Sequence, residues 1–362
     1  MPEDRSVPPL RIAVFGAGSI GCRLGGALAS VADVTLIGRP AAMAELDRTG
    51  LTLTGPGTRR LHARPATATD AAAAAGADYV LVTVKSADTA EAARELAPHL
   101  DDRTTVISFQ NGLHNARLLA AALPGRRVLA GMVPYNVVRT GPAAFHQGTD
   151  GRLVLGRTAT PEPDPAQPPA GRSPAEPVPS AERFAEAARA AGLAVELRDD
   201  MPQVQAAKLL MNLNNAVNAL SGRPLREQLG SRPYRLVLAR CQREGLAALR
   251  AAGLAPARLG PVPAGWMPAV LRLPDLLFRQ LAAASLRVDA QARSSMWEDL
   301  QRGRRTEVGE LQGEVLALAA RHGLAAPANR RLLELVRAAE SAPSPPSWSG
   351  PELLAALDDQ EV

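Results

Sequence analysis

Two groups of residues have the types and the spacing for chemistry. In the segment Met201–Leu220, Lys208, Asn212 and Asn215 fall within about 60° of one another at the angular step of an α-helix. Leu209, Leu210, Leu213, Val217 and Leu220 cover the other directions. A helix that is apolar on most sides is a buried one, and an ammonium and amides buried without partners are costly. A polar ligand pocket is one remedy, and a satisfied hydrogen-bond network between domains is the other. The second group is Gly16-Ala17-Gly18-Ser19-Ile20-Gly21, which follows the apolar run Arg11–Phe15 and leads into Cys22–Ala29. This reads as strand, tight turn and helix start. Gly16 turns the chain off the strand, Gly18 has no side chain to keep a pyrophosphate from the backbone, and Gly21 lets the helix pack close to the sheet. The phosphates of a dinucleotide would sit at the helix N-terminus, where free N–H groups and the dipole favour anions. A purely structural glycine turn is the plainer alternative.

The ends of the expected strands carry further candidates. The second strand, Asp33–Arg39, ends in Arg39 where a carboxylate would accept the ribose 2′-OH of NAD. An arginine there forks onto a 2′-phosphate and points to NADP; the alternative is a solvated arginine. Asp78–Lys85 is a nearly continuous β-branched run, typical of a strand buried on both faces. It puts Lys85 at its carboxyl end, where open parallel sheets bind ligands. Thr105–Phe109 ends in Gln110-Asn111-Gly112, so Asn111 is either a ligand contact or an ordinary turn residue. Farther along, Arg293–Glu307 holds Ser294-Ser295 and Thr306-Glu307. Thr306 is a plausible helix N-cap and Glu307 is favourable in a first turn, which would explain both without chemistry.

These residues need a scaffold. The chain has 362 residues, 46% of them hydrophobic, enough for a core and about two domains. Strand and helix patterns alternate up to about residue 199, including an alanine-rich helix at Ala66–Ala75 and strands within Val128–Gly156 that would close the same sheet. Helical periodicity dominates from Pro202 to about Ala339. The fold expected is α/β: an N-terminal Rossmann-type dinucleotide-binding domain over 10–199, an all-helical domain over 200–340 carrying substrate and catalytic residues, and a tail over 341–362 read as an appendage. The ligand site would lie between the domains. Eight of the twenty residues Thr160–Pro179 are proline, which marks an exposed insertion.

Cys22 and Cys241 are too few for a disulfide framework, and the five scattered histidines form no metal cluster, so no metal is expected. The net charge of +5 is read as an arginine-rich surface with a pocket for anions. No basic run interleaves with aromatics, so no nucleic-acid partner is expected. No run spans a bilayer and Met1–Pro9 is polar, so the expected location is cytoplasmic without a membrane partner. The oligomeric state is left open, a homodimer included.

The glycine turn with Arg39, Val84-Lys85, Gln110-Asn111-Gly112, Lys208–Asn212 and Ser294–Met296 through Arg305–Glu307 together resemble the ketopantoate reductase (2-dehydropantoate 2-reductase) family. His322-Gly323 and Pro327–Asn329 also fit. The resemblance runs from about residue 10 to 340. It implies reduction of an α-keto acid by NADPH, in pantothenate and coenzyme A biosynthesis, on a Rossmann domain joined to a helical domain like that of 6-phosphogluconate dehydrogenase. It implies that Lys208 is the proton donor to the keto oxygen, that Asn212 and Ser295 hold the substrate, and that Asn111 touches substrate and cofactor. Lys85 and Glu307 would lie on the cofactor side. Hydride reaching the keto carbon leaves an oxyanion that needs a proton and a positive charge, and a lysine supplies both.

The chain departs from the family in two places. The second asparagine, often four residues after the first, is here Ala216, with Asn215 and Asn218 as candidates; the helical angle favours Asn215. Gly131–Asn136 also differs from the usual threonine- and histidine-rich strand. Both changes touch the substrate side, which keeps open a paralogous reductase of another keto compound. A non-catalytic NADP(H)-binding sensor is the third reading, although it would need neither Lys208 nor Glu307.

Overall fold

The computed structural model describes residues 9–56, 58–160, 179–282, 292–345 and 347–358. Residues 161–178 of the proline-rich stretch therefore lie outside the described residues, as do 283–291 of the expected helical stretch and both chain ends. The chain forms two compact units: residues 1–110 with 114–201, and residues 111–113 with 202–362.

The first unit carries β1 (Arg11–Phe15), β2 (Asp33–Ile37), β3 (Leu51–Gly55), β4 (Thr58–Ala63), β5 (Ala66–Ala68), β6 (Tyr79–Val82), β7 (Thr105–Ser108), β8 (Arg127–Met132), β9 (Val137–Gly141), β10 (Ala144–Gln147), β11 (Leu153–Gly156) and β12 (Val195–Arg198). Its helices are α1 (Ser19–Leu28), α2 (Pro40–Thr49), α3 (Thr89–Leu96), α4 (Asn115–Ala122) and α5 (Ala181–Ala190). Eight strands make one sheet in the order β12-β11-β8-β7-β6-β1-β2-β5. It is parallel from β8 through to β5, with β11 antiparallel to β8. The run Tyr79–Val82 is wholly buried, as a strand covered on both faces must be.

A second sheet, in the order β4-β3-β10-β9, packs on the other side of α1. Gly25 and Gly26 make this possible. A Cβ on Gly25 would stand 2.4 Å from the Leu36 side chain, and one on Gly26 would stand 2.3 Å from Leu51. The helix is thus wedged between the two sheets, and a side chain at either position would have to displace a leucine.

Two expectations change here. Strands β9 and β10 do not join the sheet of β8 and β11; β10 pairs with β3 and β9 lies along the other side of β10, so the segment 128–156 serves both sheets. The alanine-rich stretch 66–75 is not an α-helix. Its first three residues extend along β2 as an edge strand, and Asp70 then caps a single short turn by accepting the Ala72 N–H at 2.7 Å. Gly76, at φ 68°, ends that turn before it can propagate.

The second unit is helical throughout its described residues: α6 (Met201–Asn212, its first residue grouped with the first unit), α7 (Asn214–Ser221), α8 (Leu225–Gly230), α9 (Arg232–Ala251), α10 (Met267–Leu271), α11 (Asp275–Ala282), α12 (Ser295–Gln301), α13 (Val308–Arg321), α14 (Pro327–Ser341) and α15 (Gly350–Asp358). The single helix expected over 201–220 breaks at Leu213. Buried Gln312 of α13 donates to the Leu213 carbonyl at 2.9 Å, and buried Gln242 of α9 to the Leu210 carbonyl at 3.1 Å. Side chains that engage carbonyls of the helical ladder kink a helix in this way.

The tail is not an appendage. Leu353 and Leu357 of α15 belong to the core of the helical unit, and Trp348 ties its approach down. The Trp348 N–H donates to the Leu220 carbonyl at 2.8 Å, while its own carbonyl accepts the Tyr234 hydroxyl at 2.7 Å.

Candidate active site

In the first unit the glycine turn lies at the carboxyl end of β1. Gly16 has φ 106°, a conformation that L side chains rarely adopt, and a Cβ there would stand 2.6 Å from the Val84 nitrogen. A Cβ on Gly21 would stand 2.3 Å from the Gly16 carbonyl oxygen. The protein's own packing therefore demands glycine at both positions. Gly18 is different, because the nearest atom to a Cβ there is the Gly16 oxygen at 4.0 Å. That space is open for a ligand.

The backbone donors divide in the same way. The N–H groups of Gly16 and Ala17 are both taken by the Ile37 carbonyl, and that of Gly18 by Gly16. Those of Ser19, Ile20 and Gly21, in the first turn of α1, have no acceptor among the described residues. Three free donors beside an open glycine fit the pyrophosphate of a dinucleotide.

Arg39 follows β2 and precedes α2. Its side chain is exposed and has no partner among the described residues. Lys85, half-buried, lies three residues past the end of β6. Its loop is held by residues the sequence reading missed. Gln110, buried at the end of β7, donates to the Val84 carbonyl at 3.2 Å and to the Thr89 hydroxyl at 2.7 Å. Buried Asn115 donates to the Ser86 hydroxyl at 2.9 Å. Thr83 donates to the Gly16 carbonyl at 2.7 Å and fastens the glycine turn to the same loop. The available signal was a glutamine directly after the five-residue run Thr105–Phe109.

In the second unit, Asn111 donates from Nδ2 to Glu307 Oε2 at 2.9 Å and accepts the Asn212 amide at 3.1 Å. A carboxylate only accepts, so this chain fixes the direction of both amides. Lys208 lies one helical turn before Asn212. The residue is half-buried, and burial pulls its ammonium below the ordinary lysine range, to about 8.

Asn215 and Asn218 have different surroundings. Asn218 is fully buried; its oxygen accepts the Ser294 N–H at 2.8 Å and its amide donates to the Arg223 carbonyl at 2.9 Å. Asn215 is half-buried, and its side-chain amide has no partner among the described residues. The two serines divide similarly. Ser294 is buried and caps α12, accepting the Trp297 N–H at 3.2 Å and donating to the Asn215 carbonyl at 3.2 Å. Ser295 is exposed, with no partner among the described residues.

Thr306 does not sit at the helix boundary as expected. Helix α13 begins at Val308, and the Thr306 hydroxyl donates to Glu340 at 2.6 Å while accepting the Val308 N–H at 3.2 Å. Glu307 is therefore the residue on which the helix opens.

Comparison with known proteins bears on the fold and the family. The family model described as ketopantoate reductase PanE/ApbA matches residues 12–160, and the model of its C-terminal region matches residues 200–340. A 2-dehydropantoate 2-reductase of Halobacterium salinarum is 33% identical over 335 residues, spanning 91% of this chain and 99% of that one. One of Pyrococcus horikoshii is 27% identical, with 92% and 98% covered. The crystal structure of a PanE/ApbA family ketopantoate reductase from Ralstonia eutropha superposes at a TM-score of 0.74 with 29% identity, covering 91% of this chain and 98% of that one. A D-mandelate dehydrogenase with NADH and anilino(oxo)acetate shares the fold, at a TM-score of 0.73 with 18% identity and 91% and 98% covered.

A parallel sheet with an open glycine cradle, joined in sequence to a helical unit bearing a buried lysine, defines a dinucleotide-binding oxidoreductase of the class that acts on CH–OH and C=O groups. Within that class the assignment is specific. The chain belongs to the ketopantoate reductase PanE/ApbA family.

Proposed function

We propose that the protein reduces 2-dehydropantoate to pantoate with NADPH, with Lys208 as proton donor, a step in pantothenate and coenzyme A biosynthesis. The observation that carries this reading is the placement of Lys208 one turn before Asn212, whose amide heads the chain Asn212–Asn111–Glu307. The printed activity of the full-length relatives supports the substrate.

When bound, NADPH supplies the hydride that turns the keto carbon into a secondary alcohol. Ser19, Ile20 and Gly21 would offer their N–H groups to its pyrophosphate, with Gly16, Ala17 and Gly18 shaping the turn. Arg39 would fork onto the 2′-phosphate, and Lys85 and Glu307 would serve the cofactor side. Lys208 holds a proton at Nζ and gives it to the keto oxygen as negative charge develops there. With a pKa of about 8, the ammonium is mostly protonated near neutral pH yet acidic enough to transfer its proton. Asn212, Asn215 and Ser295 orient the carboxylate and the rest of the acid, and Asn111 touches both ligands. The unpartnered Asn215 amide and Ser295 hydroxyl favour this assignment.

The test is NADPH consumption by the purified protein with 2-dehydropantoate, set against other 2-keto acids and against NADH. The highest kcat/KM is expected for 2-dehydropantoate with NADPH. Faster turnover of another keto acid would identify a paralogous reductase, and NADPH binding without turnover of any would identify a sensor.

A further inference from the structure

Helices α9 and α10 enclose an open groove of about 320 Å³ in the helical unit, at the small end of the range for ligand sites. Arg243 and Arg250 reach it from α9, and Arg272 reaches it from the end of α10. Leu246, Ala247 and Pro268 give it an apolar floor. On α9 the spacing 243, 246, 247, 250 is one helical stripe, about 120° from the Gln242 and Gly245 face that meets α6.

The charge around this groove is unbalanced. Elsewhere in the unit, Arg223, Arg235, Arg240, Arg302, Arg321 and Arg331 each have a carboxylate within 4 Å. Among the described residues, Arg243, Arg250 and Arg272 have none. Of the acids near them in sequence, Asp275 pairs with Arg235, and Glu244 feels the charge of Arg243 but hydrogen-bonds elsewhere. Its two oxygens accept the backbone N–H groups of Ala328 and Asn329, at 2.8 and 2.9 Å.

Three guanidinium groups line one groove, and each offers a planar fork suited to phosphate. A single carboxylate would neutralise one of the three. A phosphate monoester, at nearly two charges, matches the set better. We propose that this groove binds a phosphate monoester carrying a short apolar arm, with the phosphate on the arginines and the arm over Leu246, Ala247 and Pro268.

The test is a calorimetric titration of the full chain with butyl phosphate and with inorganic phosphate. Saturating NADP is present throughout, so that the dinucleotide cradle is filled. Butyl phosphate is expected to bind saturably and more tightly than inorganic phosphate. The double variant Arg250→Gln with Arg272→Gln should weaken it about tenfold or more, since each loss removes a charge-assisted contact. Both side chains are exposed, so melting temperature and NADPH-dependent turnover should stay at the wild-type level. Absence of saturable binding, or affinity unchanged in the double variant, would overturn the proposal. Equal affinity for the two probes would overturn the role of the apolar floor.

Discussion

The side-chain oxygen of Asn218 accepts the backbone N–H of Ser294 at 2.8 Å, inside the helical unit and out of contact with solvent. Its amide is equally committed, to the Arg223 carbonyl. Asn218 thus holds the end of α7 to the start of α12, whereas Asn215 keeps its amide unengaged among the described residues. Asn218→Ala would strand a buried donor and a carbonyl, at a cost of about 1–3 kcal/mol each, and should lower the melting temperature. Asn215→Ala should leave melting unchanged and raise KM for the keto acid. Kinetics and thermal melts of the two variants check this, and a reversed pattern would move the substrate contact to Asn218.

The glycine turn offers a similar separation of fold from function. Gly18→Ala has room for its methyl group and should fold with an unchanged melting temperature, yet bind NADPH more weakly because the Cβ intrudes on the cradle. Gly21→Ala puts a Cβ at 2.3 Å from a backbone oxygen and should destabilise the unit itself. Titrating NADPH into each folded variant measures the difference.

Arg39 should set the cofactor preference. Arg39→Ala is expected to reduce the NADPH-over-NADH ratio of kcat/KM by about one to two decades, from the loss of one charge-assisted contact worth roughly 1.5–3 kcal/mol. Wild type using both cofactors equally, or an unchanged ratio in the variant, would remove Arg39 from that role.

The depressed pKa of Lys208 predicts a pH profile. With Lys208 as the proton donor proposed above, reduction needs the protonated amine, so kcat/KM for the keto acid should be level below about pH 8 and fall above it. An unperturbed lysine would hold its proton to about 10.4. The stability effect follows from the same shift. Because the folded state gives up this proton at lower pH than the unfolded chain does, burial of Lys208 costs stability below pH 8. The contribution of Lys208 to stability should therefore rise with pH between those two values, against the opposite contribution of Cys22, Tyr79 and Tyr135, whose pKa values burial raises. Lys208→Met should abolish that rise, as measured by denaturant melts across the range.

Much of this was legible in the residues, for identifiable reasons. β1, the glycine turn and α1 announce themselves because a buried strand, a tight turn and a helix start each impose a local pattern. Apart from the short turn after Asp70, which Gly76 ends locally, the misses depend on partners distant in sequence. Gln312 meets Leu213 across 99 residues and breaks a helix that local periodicity runs through. Leu353 is buried only because the rest of the helical unit receives it, so the composition of the tail could not reveal its packing. Strand β10 was assigned to the wrong sheet because β3, to which it pairs, was not read at all. At the site, residue types nominated Asn215 and Asn218 alike and the helical angle favoured Asn215; the Ser294 N–H, which commits Asn218 to the fold, is a partner that no spacing encodes.

The role of Lys208 in the chemical step is tested most directly by single-turnover and steady-state rates of Lys208→Ala with saturating NADPH and 2-dehydropantoate. The variant should fold, bind NADPH as wild type does, and lose kcat by about a hundredfold or more, within the range of general acid catalysis. Lys208→Arg should recover little of the rate, because a guanidinium keeps the charge but is a poor proton donor near neutral pH. Near-normal turnover by Lys208→Ala, accompanied by a lower melting temperature, would show that the lysine supports the fold and would contradict the mechanism.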